Sequence, residues 1–244
     1  MSFFIFIVIG FAGNFIGTLS GGGGLITLPT MLLYGLPVHS AIGANKVANT
    51  VSSLTSFLVI FKEKGVTLKE ALSVLVTCLV GGAVGGIIAS FMSGDSLTLI
   101  AIILLTFAFV TSFLRKGDFV GEKMFKLNTK TGSILFGIGM YDGMFGPGSG
   151  TLQMYLYASQ KVAYIRAVGL SRVGVFAGCF GSAITYISTG KIVWSLTIAL
   201  MVGGIIGAQV GIKVARKMNV KYVNPLLRGI TLLLIVQIIM SYYK

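Results

Sequence analysis

The sequence predicts an all-α polytopic membrane protein made of two inverted repeats, each a glycine-broken re-entrant helical hairpin followed by three transmembrane helices. Three observations lead there: a composition too apolar for a water-facing surface, apolar runs of spanning length along the whole chain, and a pattern that returns after 126 residues.

Of the 244 residues, 55% are hydrophobic and only 10% charged, with a mean hydropathy of +0.94. Soluble domains carry about 25% charged residues, so a soluble surface cannot be built from this chain. The apolar stretch from Phe3 to Ser20 has no Lys or Arg before it and no convincing cleavage site after it. It is therefore expected to belong to the fold and not to a signal peptide. The net charge of +13 fits cytoplasmic loops rich in Lys and Arg. No basic–aromatic stripe points to nucleic acid. Cys78 and Cys179 lie inside apolar segments, where thiols serve as small hydrophobes. With His39 as the sole histidine and no ligand spacing, neither metal nor cofactor is expected.

The repeat organises everything else. Residues 13–56 lie over 139–182 without a gap, and Gly13, Gly17, Gly22, Gly24, Ala41, Gly43, Val47 and Ser56 meet identical residues. Lys46 meets Arg172 in the same register, and after short loop adjustments Gly81-Gly82-x-x-Gly85 meets Gly203-Gly204-x-x-Gly207. The expected units are a first repeat over 1–114, a cytoplasmic linker over 115–130 and a second repeat over 131–244.

Each half opens with an apolar run broken by glycines. The first is 4–19, then Gly21 to Gly24, then 25–35; the second is 132–145, then Gly146-Pro147-Gly148-Ser149-Gly150, then 151–158. Three full-length segments follow in each, near 41–61, 69–92 and 96–114, and near 166–188, 193–213 and 223–243. At ~1.5 Å per residue, pieces 4–19 and 25–35 reach about 24 and 16 Å, short of a core about 30 Å thick. They form either one interrupted crossing or a hairpin that enters and leaves by one face. Charge favours the hairpin. With three crossings per half, loops 62–70, 115–130, 158–166 and 213–222 fall on one side with nearly all the Lys and Arg. The opposite side keeps only Lys191 and Lys244. The rich side is then cytoplasmic and both termini are outside.

Chemistry is expected where backbone is broken at membrane depth, since lipid cannot satisfy it and it must line a cavity or be buried. The second arms begin just after Gly24 and Gly150. Their N-termini, with exposed N–H groups and partial positive charge, would face the bilayer middle and an anion there. This makes Gly22, Gly23, Gly24, Gly148, Ser149 and Gly150 candidate substrate contacts. Neither loop continues with Lys-Ser or Lys-Thr, so neither is a P-loop.

Lys46 and Arg172 are ionisable groups in apolar context, expensive there and by default functional; the alternative is that they snorkel to an interface or pair structurally. Lys46, Asn49, Thr50 and Ser53 make a polar stripe, and Asn45 adjoins it. Ser171, Gly174, Gly178 and Ser182 make a small-residue face suited to a cavity wall. Asp142, the sole acid well inside an apolar segment, has Ile16 as its repeat counterpart. It is placed to neutralise Arg172, to carry a coupled proton, or to form a structural ion pair, with Tyr141, Gln153 and Tyr155 as hydrogen-bonding neighbours. The paired glycines at 81–86 and 203–211 read as helix-packing seams.

Two strings carry a family resemblance. Gly17-Thr-Leu-Ser-Gly-Gly-Gly-Gly-Leu-Ile-Thr-Leu-Pro29 followed by Ala41-Ile-Gly-Ala-Asn-Lys46 resembles the first repeat of the sulfite exporter TauE/SafE family. Tyr141-Asp-Gly-Met-Phe-Gly-Pro-Gly-Ser-Gly150 resembles its second repeat, in the branch with an acidic residue before the glycine loop. The first loop departs in carrying Ser20 where a glycine is common. The resemblance implies movement of sulfur-containing anions such as sulfite, thiosulfate or sulfoacetate across a prokaryotic inner membrane.

The expectation is thus a secondary transporter for a small anion. The anion would sit between the halves at the N-termini behind the glycine loops, with Lys46 and Arg172 attracting it. The hairpins would move to alternate access, and a proton carried by Asp142 is one coupling device. A passive anion channel is the second reading. A membrane-embedded enzyme is a third and weaker one, because no nucleophile–base pair or metal cluster is present.

Overall fold

The computed structural model describes residues 2–21, 23–63, 65–93, 95–96, 99–100, 103, 106, 119, 124–190, 192–222, 225–226, 228–229, 232–233, 236 and 240. Gly22, half of the 115–130 linker and most of the expected segments 96–114 and 223–243 lie outside the described residues.

Every regular element described is helical: α1 (Ser2–Ser20), α2 (Gly24–Leu33), α3 (Val38–Lys62), α4 (Leu68–Ser90), α5 (Thr129–Met144), α6 (Ser149–Ser159), α7 (Tyr164–Ser188), α8 (Trp194–Lys217) and a 3-10 turn (Val220–Tyr222). α1, α4, α7 and α8 are long and apolar enough to cross a membrane. At ~1.5 Å per residue, the 19 residues of α1 reach about 28 Å. That helix is longer than the expected piece 4–19 by Ser2 and Phe3 at its start and by Ser20 at its end, where Gly21 breaks it at φ 76°.

The bounds of α3, Val38–Lys62, recur 126 residues on as α7, Tyr164–Ser188, and those of α4, Leu68–Ser90, recur to within one residue as α8, Trp194–Lys217. The halves interleave. α1 packs chiefly on α8, and α5 chiefly on α4; α3 and α7 cross between them. The glycine seams make these approaches possible. A Cβ on Gly203 or Gly207 would fall on the carbonyl of Ile7 or Phe11, and one on Gly81 or Gly85 on the carbonyl of Phe136 or Met140. These contacts put Gly81 level with Gly207 and Gly85 with Gly211. The glycine motif pairs Gly81 with Gly203 instead, one helical turn away. A slip of one helical turn keeps a glycine ridge on the same face, so the motif alone cannot fix the register.

α2 turns back along α1. The rings of Phe6 and Tyr34 meet at 5.2 Å, a Cβ on Gly13 would strike Thr27 Cγ2, and one on Gly17 would lie 3.0 Å from Gly23 Cα. In the second half the Lys126 N–H, ahead of α5, donates to Gln160 Oε1, just past α6, at 3.3 Å. In each broken run the two ends are thus brought together.

The basic loops gather at one end of the bundle. Arg216 Nη2 reaches Glu63 at 2.7 Å, Arg166 Nη1 reaches Glu70 at 3.0 Å, and Phe119 stacks edge-on against Tyr164 at 5.6 Å. Glu70 is buried, 4% exposed. It closes a capping box with Thr67 at the start of α4 and also accepts the Phe125 N–H at 2.8 Å. One carboxylate thereby joins α4, α7 and the stretch before α5. Two apolar cores lie along the bundle, one around Val74, Leu135 and Tyr157 and one around Phe6, Met31 and Tyr186.

Candidate functional site

The two glycine breaks meet each other. Gly21 (φ 76°) and Gly150 touch backbone to backbone: a Cβ on Gly21 would overlap the Gly150 carbonyl carbon, and one on Gly150 would lie 2.8 Å from Gly21 Cα. A Cβ on Gly24 would sit 2.9 Å from Pro147 Cα. Such closeness requires glycine, and in Gly21 the left-handed backbone requires it again. Gly148, at φ 79°, makes the turn into α6. Neither Gly23 nor Gly148 offers a side-chain cap to the helix it starts.

Two buried cations reach this junction, each from one half toward the first helix of the other. Lys46 on α3 is 0% exposed; its Nζ donates to the main-chain oxygen of Asp142 and, at 3.0 Å, to Asp142 Oδ1. Arg172 on α7 is 3% exposed, and its Nη2 donates to the Gly17 oxygen at 2.7 Å. Both acceptor carbonyls lie in the last turn of a broken helix, where the dipole is negative and cations are favoured. The buried placement removes the snorkelling alternative. Of the alternatives expected for Asp142, an ion pair is what the structure shows, and its partner is Lys46, not Arg172. α5 packs on α4 and α7, and from its last turn Asp142 takes Lys46 of α3 as its partner.

Asp142 is the hub. Oδ1 also accepts from Ser149 Oγ at 2.8 Å, tying the last turn of α5 to the first of α6, and Cys179 Sγ approaches Oδ2 at 3.7 Å. Of the neighbours expected to serve it, Tyr141 donates instead to the Pro147 oxygen at 2.6 Å. Gln153 is fully buried against Gly174 with neither amide atom partnered. The small face of α7 is mainly packing: Gly178 meets Gly82 and Asp142, and Ser182 meets Gly86.

A cavity of about 20 Å³ opens where these parts converge. Its glycine wall is Gly17, Gly21, Gly23, Gly24 and Gly146; its polar wall is Asn14, Asn45, Asn49, Asp142, Ser149 and Arg172, with Val175 beside them. Of the predicted site residues, Gly23, Gly24, Asn45, Asn49, Asp142, Ser149 and Arg172 line it. Lys46 stands behind Asp142, and Ser171 Oγ lies 3.4 Å from the Gly150 oxygen. Gly148, Gly150, Ser171 and Gln153 are not among its lining residues. Gly22 is outside the described residues. The wall is held by a relay of amides and hydroxyls. Thr27 Oγ1 donates to Asn45 Oδ1 at 2.8 Å, Asn49 Nδ2 donates to the same oxygen at 3.1 Å, and Ser52 Oγ donates to Asn14 Oδ1 at 2.8 Å. Asn14 escaped the sequence reading. Its signal was a lone amide inside the first apolar run, and its placement depends on α8, where Gly204 leaves room for it.

Among the described residues no group of three His, Cys, Asp or Glu side chains could hold a metal ion. Four helices long and apolar enough to cross a membrane, with a buried ion pair and a polar cavity packed among the helices, point to a multi-pass membrane protein. The chain belongs to the sulfite exporter TauE/SafE family, whose model matches residues 5–238. It is 28% identical over 239 residues to the probable membrane transporter protein ORF9 of a Sinorhizobium species, covering 97% of this chain and 91% of that protein. It is also 28% identical over 231 residues to a probable membrane transporter protein of Haemophilus influenzae, covering 91% and 88%. With the probable membrane transporter protein YfcA of Escherichia coli K12 it shares 24% over 226 residues, covering 91% and 84%. No solved structure matches significantly.

Proposed function

We propose that this protein is a secondary transporter that moves a small anion, a sulfur oxyanion or organosulfonate of the sulfite, thiosulfate or sulfoacetate kind, across the cytoplasmic membrane by alternating access. The observation that carries the reading is Arg172: a buried guanidinium lining a cavity at the meeting point of two glycine loops, with its Nε–H unpartnered. Unpaired donors inside a membrane body are costly and are satisfied when an anion arrives. Asn45, Asn49 and the start of α6 at Ser149 complete the oxygen-binding wall. Asp142 is the candidate for charge balance or proton coupling.

The gathered basic loops and the two hairpins support an inverted-repeat arrangement with those loops in the cytoplasm and both termini outside. The cavity is small and the hairpins pack tightly on each other, so access requires the hairpins to part from the α3–α7 crossing. Reconstitution into liposomes tests the reading. Saturable uptake of sulfite, thiosulfate or a sulfonate, accelerated by an ion gradient and lost in Arg172→Gln, is expected. Large unsaturated currents in a planar bilayer would instead assign a channel.

A further inference from the structure

We infer, on the basis of the anion-transporter reading above, that the cavity is matched to a monovalent oxyanion. Among the described residues the charges at the site are few and each is accounted for. Lys46 is held by Asp142 through both its main-chain oxygen and Oδ1, so this cation is neutralised in place. Arg172 has no carboxylate partner among the described ion pairs; its Nη2 spends itself on a neutral carbonyl and its Nε–H is unpartnered. The other ionisable neighbours act as donors and bring no charge. Cys179 points its thiol at Asp142 Oδ2, Tyr141 donates to Pro147, and Tyr164 donates to the Leu19 oxygen. Two cations and one carboxylate leave a single positive charge in excess, and it is on Arg172.

In a buried site an uncompensated charge is strongly disfavoured. A monoanion on Arg172 brings the site to neutrality, with its remaining oxygens facing the amides of Asn45 and Asn49. A dianion overshoots by one charge and requires that Asp142 be protonated or that Lys46 leave it. Hydrogensulfite or a monosulfonate therefore suits the site as built, and thiosulfate or a disubstituted acid does not.

The test titrates purified, detergent-solubilised protein calorimetrically at neutral pH with methanesulfonate and with sulfate, tetrahedral oxyanions that differ by one charge. The wild type is expected to bind methanesulfonate at least about ten-fold more tightly. Asp142→Asn, with two positive charges in excess, should move the ratio about ten-fold toward sulfate. The double variant Lys46→Gln with Asp142→Asn restores one excess charge and should return the ratio to that of the wild type, which a merely structural role for the pair would not do. Lys46→Gln alone leaves none and should weaken both anions about ten-fold. It carries the test together with the wild-type ratio if Asp142→Asn does not fold. Sulfate binding as tightly as methanesulfonate, or a ratio unmoved by Asp142→Asn, overturns the charge assignment and leaves the anion reading standing. No binding of either anion, with Arg172→Gln indistinguishable from wild type, overturns the anion reading itself.

Discussion

Lys46 and Asp142 are 96 residues apart in the chain, yet their charged atoms meet at 3.0 Å with side chains 1% and 3% exposed. The pair joins the third helix of the first half to the first helix of the second. It also fixes the glycine loop, because the same carboxylate oxygen receives Ser149 Oγ. An ion pair this dry is a poor source of net stability but is costly to break from one side.

Asp142→Ala should therefore destabilise the protein by about 3–5 kcal/mol, the cost typical of leaving one member of a buried pair alone. Lys46→Met combined with Asp142→Leu should lose much less. Unfolding in mixed detergent measures both. Equal losses in the single and double variants would show that the two groups are not coupled.

Part of this was legible in the sequence and part was not. Lys46, Arg172 and Asp142 stood out because charge inside an apolar run is rare, and the glycine breaks because both fell at one position of the repeat. The partner of Asp142 was hidden, since it depends on how the halves interleave, which no local pattern records. Asn14 was hidden for the same reason: a single amide gains meaning only against Gly204 and Ser52. Glu70 is different. Thr67-x-x-Glu70 before an apolar run is a capping-box pattern and was readable, but its further contacts with Phe125 and Arg166 come from elements far along the chain.

The contact between Gly21 and Gly150 leads to a second prediction. Gly21→Ala adds a Cβ onto the Gly150 backbone and must also hold φ at 76°. Both effects oppose folding, and a loss of more than about 2 kcal/mol is expected from overpacking and strain together. Gly35→Ala is the control. Its φ is 89° but nothing lies within 4 Å of the added Cβ, so only the backbone cost of about 1 kcal/mol remains. Thermal unfolding in detergent ranks the two, and similar midpoints would deny the close crossing of the loops.

Glu70 should act as a latch at the basic end. Its carboxylate accepts from Thr67, Phe125 and Arg166 at once. In Glu70→Gln the charge-assisted bonds weaken, and the expected loss is about 1.5–3 kcal/mol. Hydrogen exchange at the Phe125 amide should rise with it, while exchange in α8 stays as in wild type. Unchanged protection at Phe125 would remove the latch.

Asn14 is expected to set the sign of what the cavity accepts. It is 4% exposed and shares the wall with Arg172. Asn14→Asp is nearly isosteric but places a second carboxylate opposite Arg172, which has no carboxylate partner among the described residues. Anion flux in liposomes should fall at least about ten-fold, a 1.4 kcal/mol effect, with folding kept. Asn14→Ser should retain most of the flux. Normal flux in Asn14→Asp would place the anion path elsewhere.

The same-end clustering of the basic loops can be tested by membrane-impermeant thiol labelling. Glu63 and Arg216 form an exposed ion pair at 2.7 Å, so the two positions must face one compartment. Ser93 lies beyond the far end of α4 and is exposed. The native thiols, Cys78 and Cys179, are buried and should stay silent in intact membranes. Glu63→Cys and Arg216→Cys should be labelled from the same side, the cytoplasmic one if the positive-inside rule governs, and Ser93→Cys from the other. The result also decides between hairpins and single crossings. A broken run that crossed the membrane once would put residues 62–70 and 213–222 on opposite faces, and labelling of Glu63→Cys and Arg216→Cys from different sides would reject the inverted repeat.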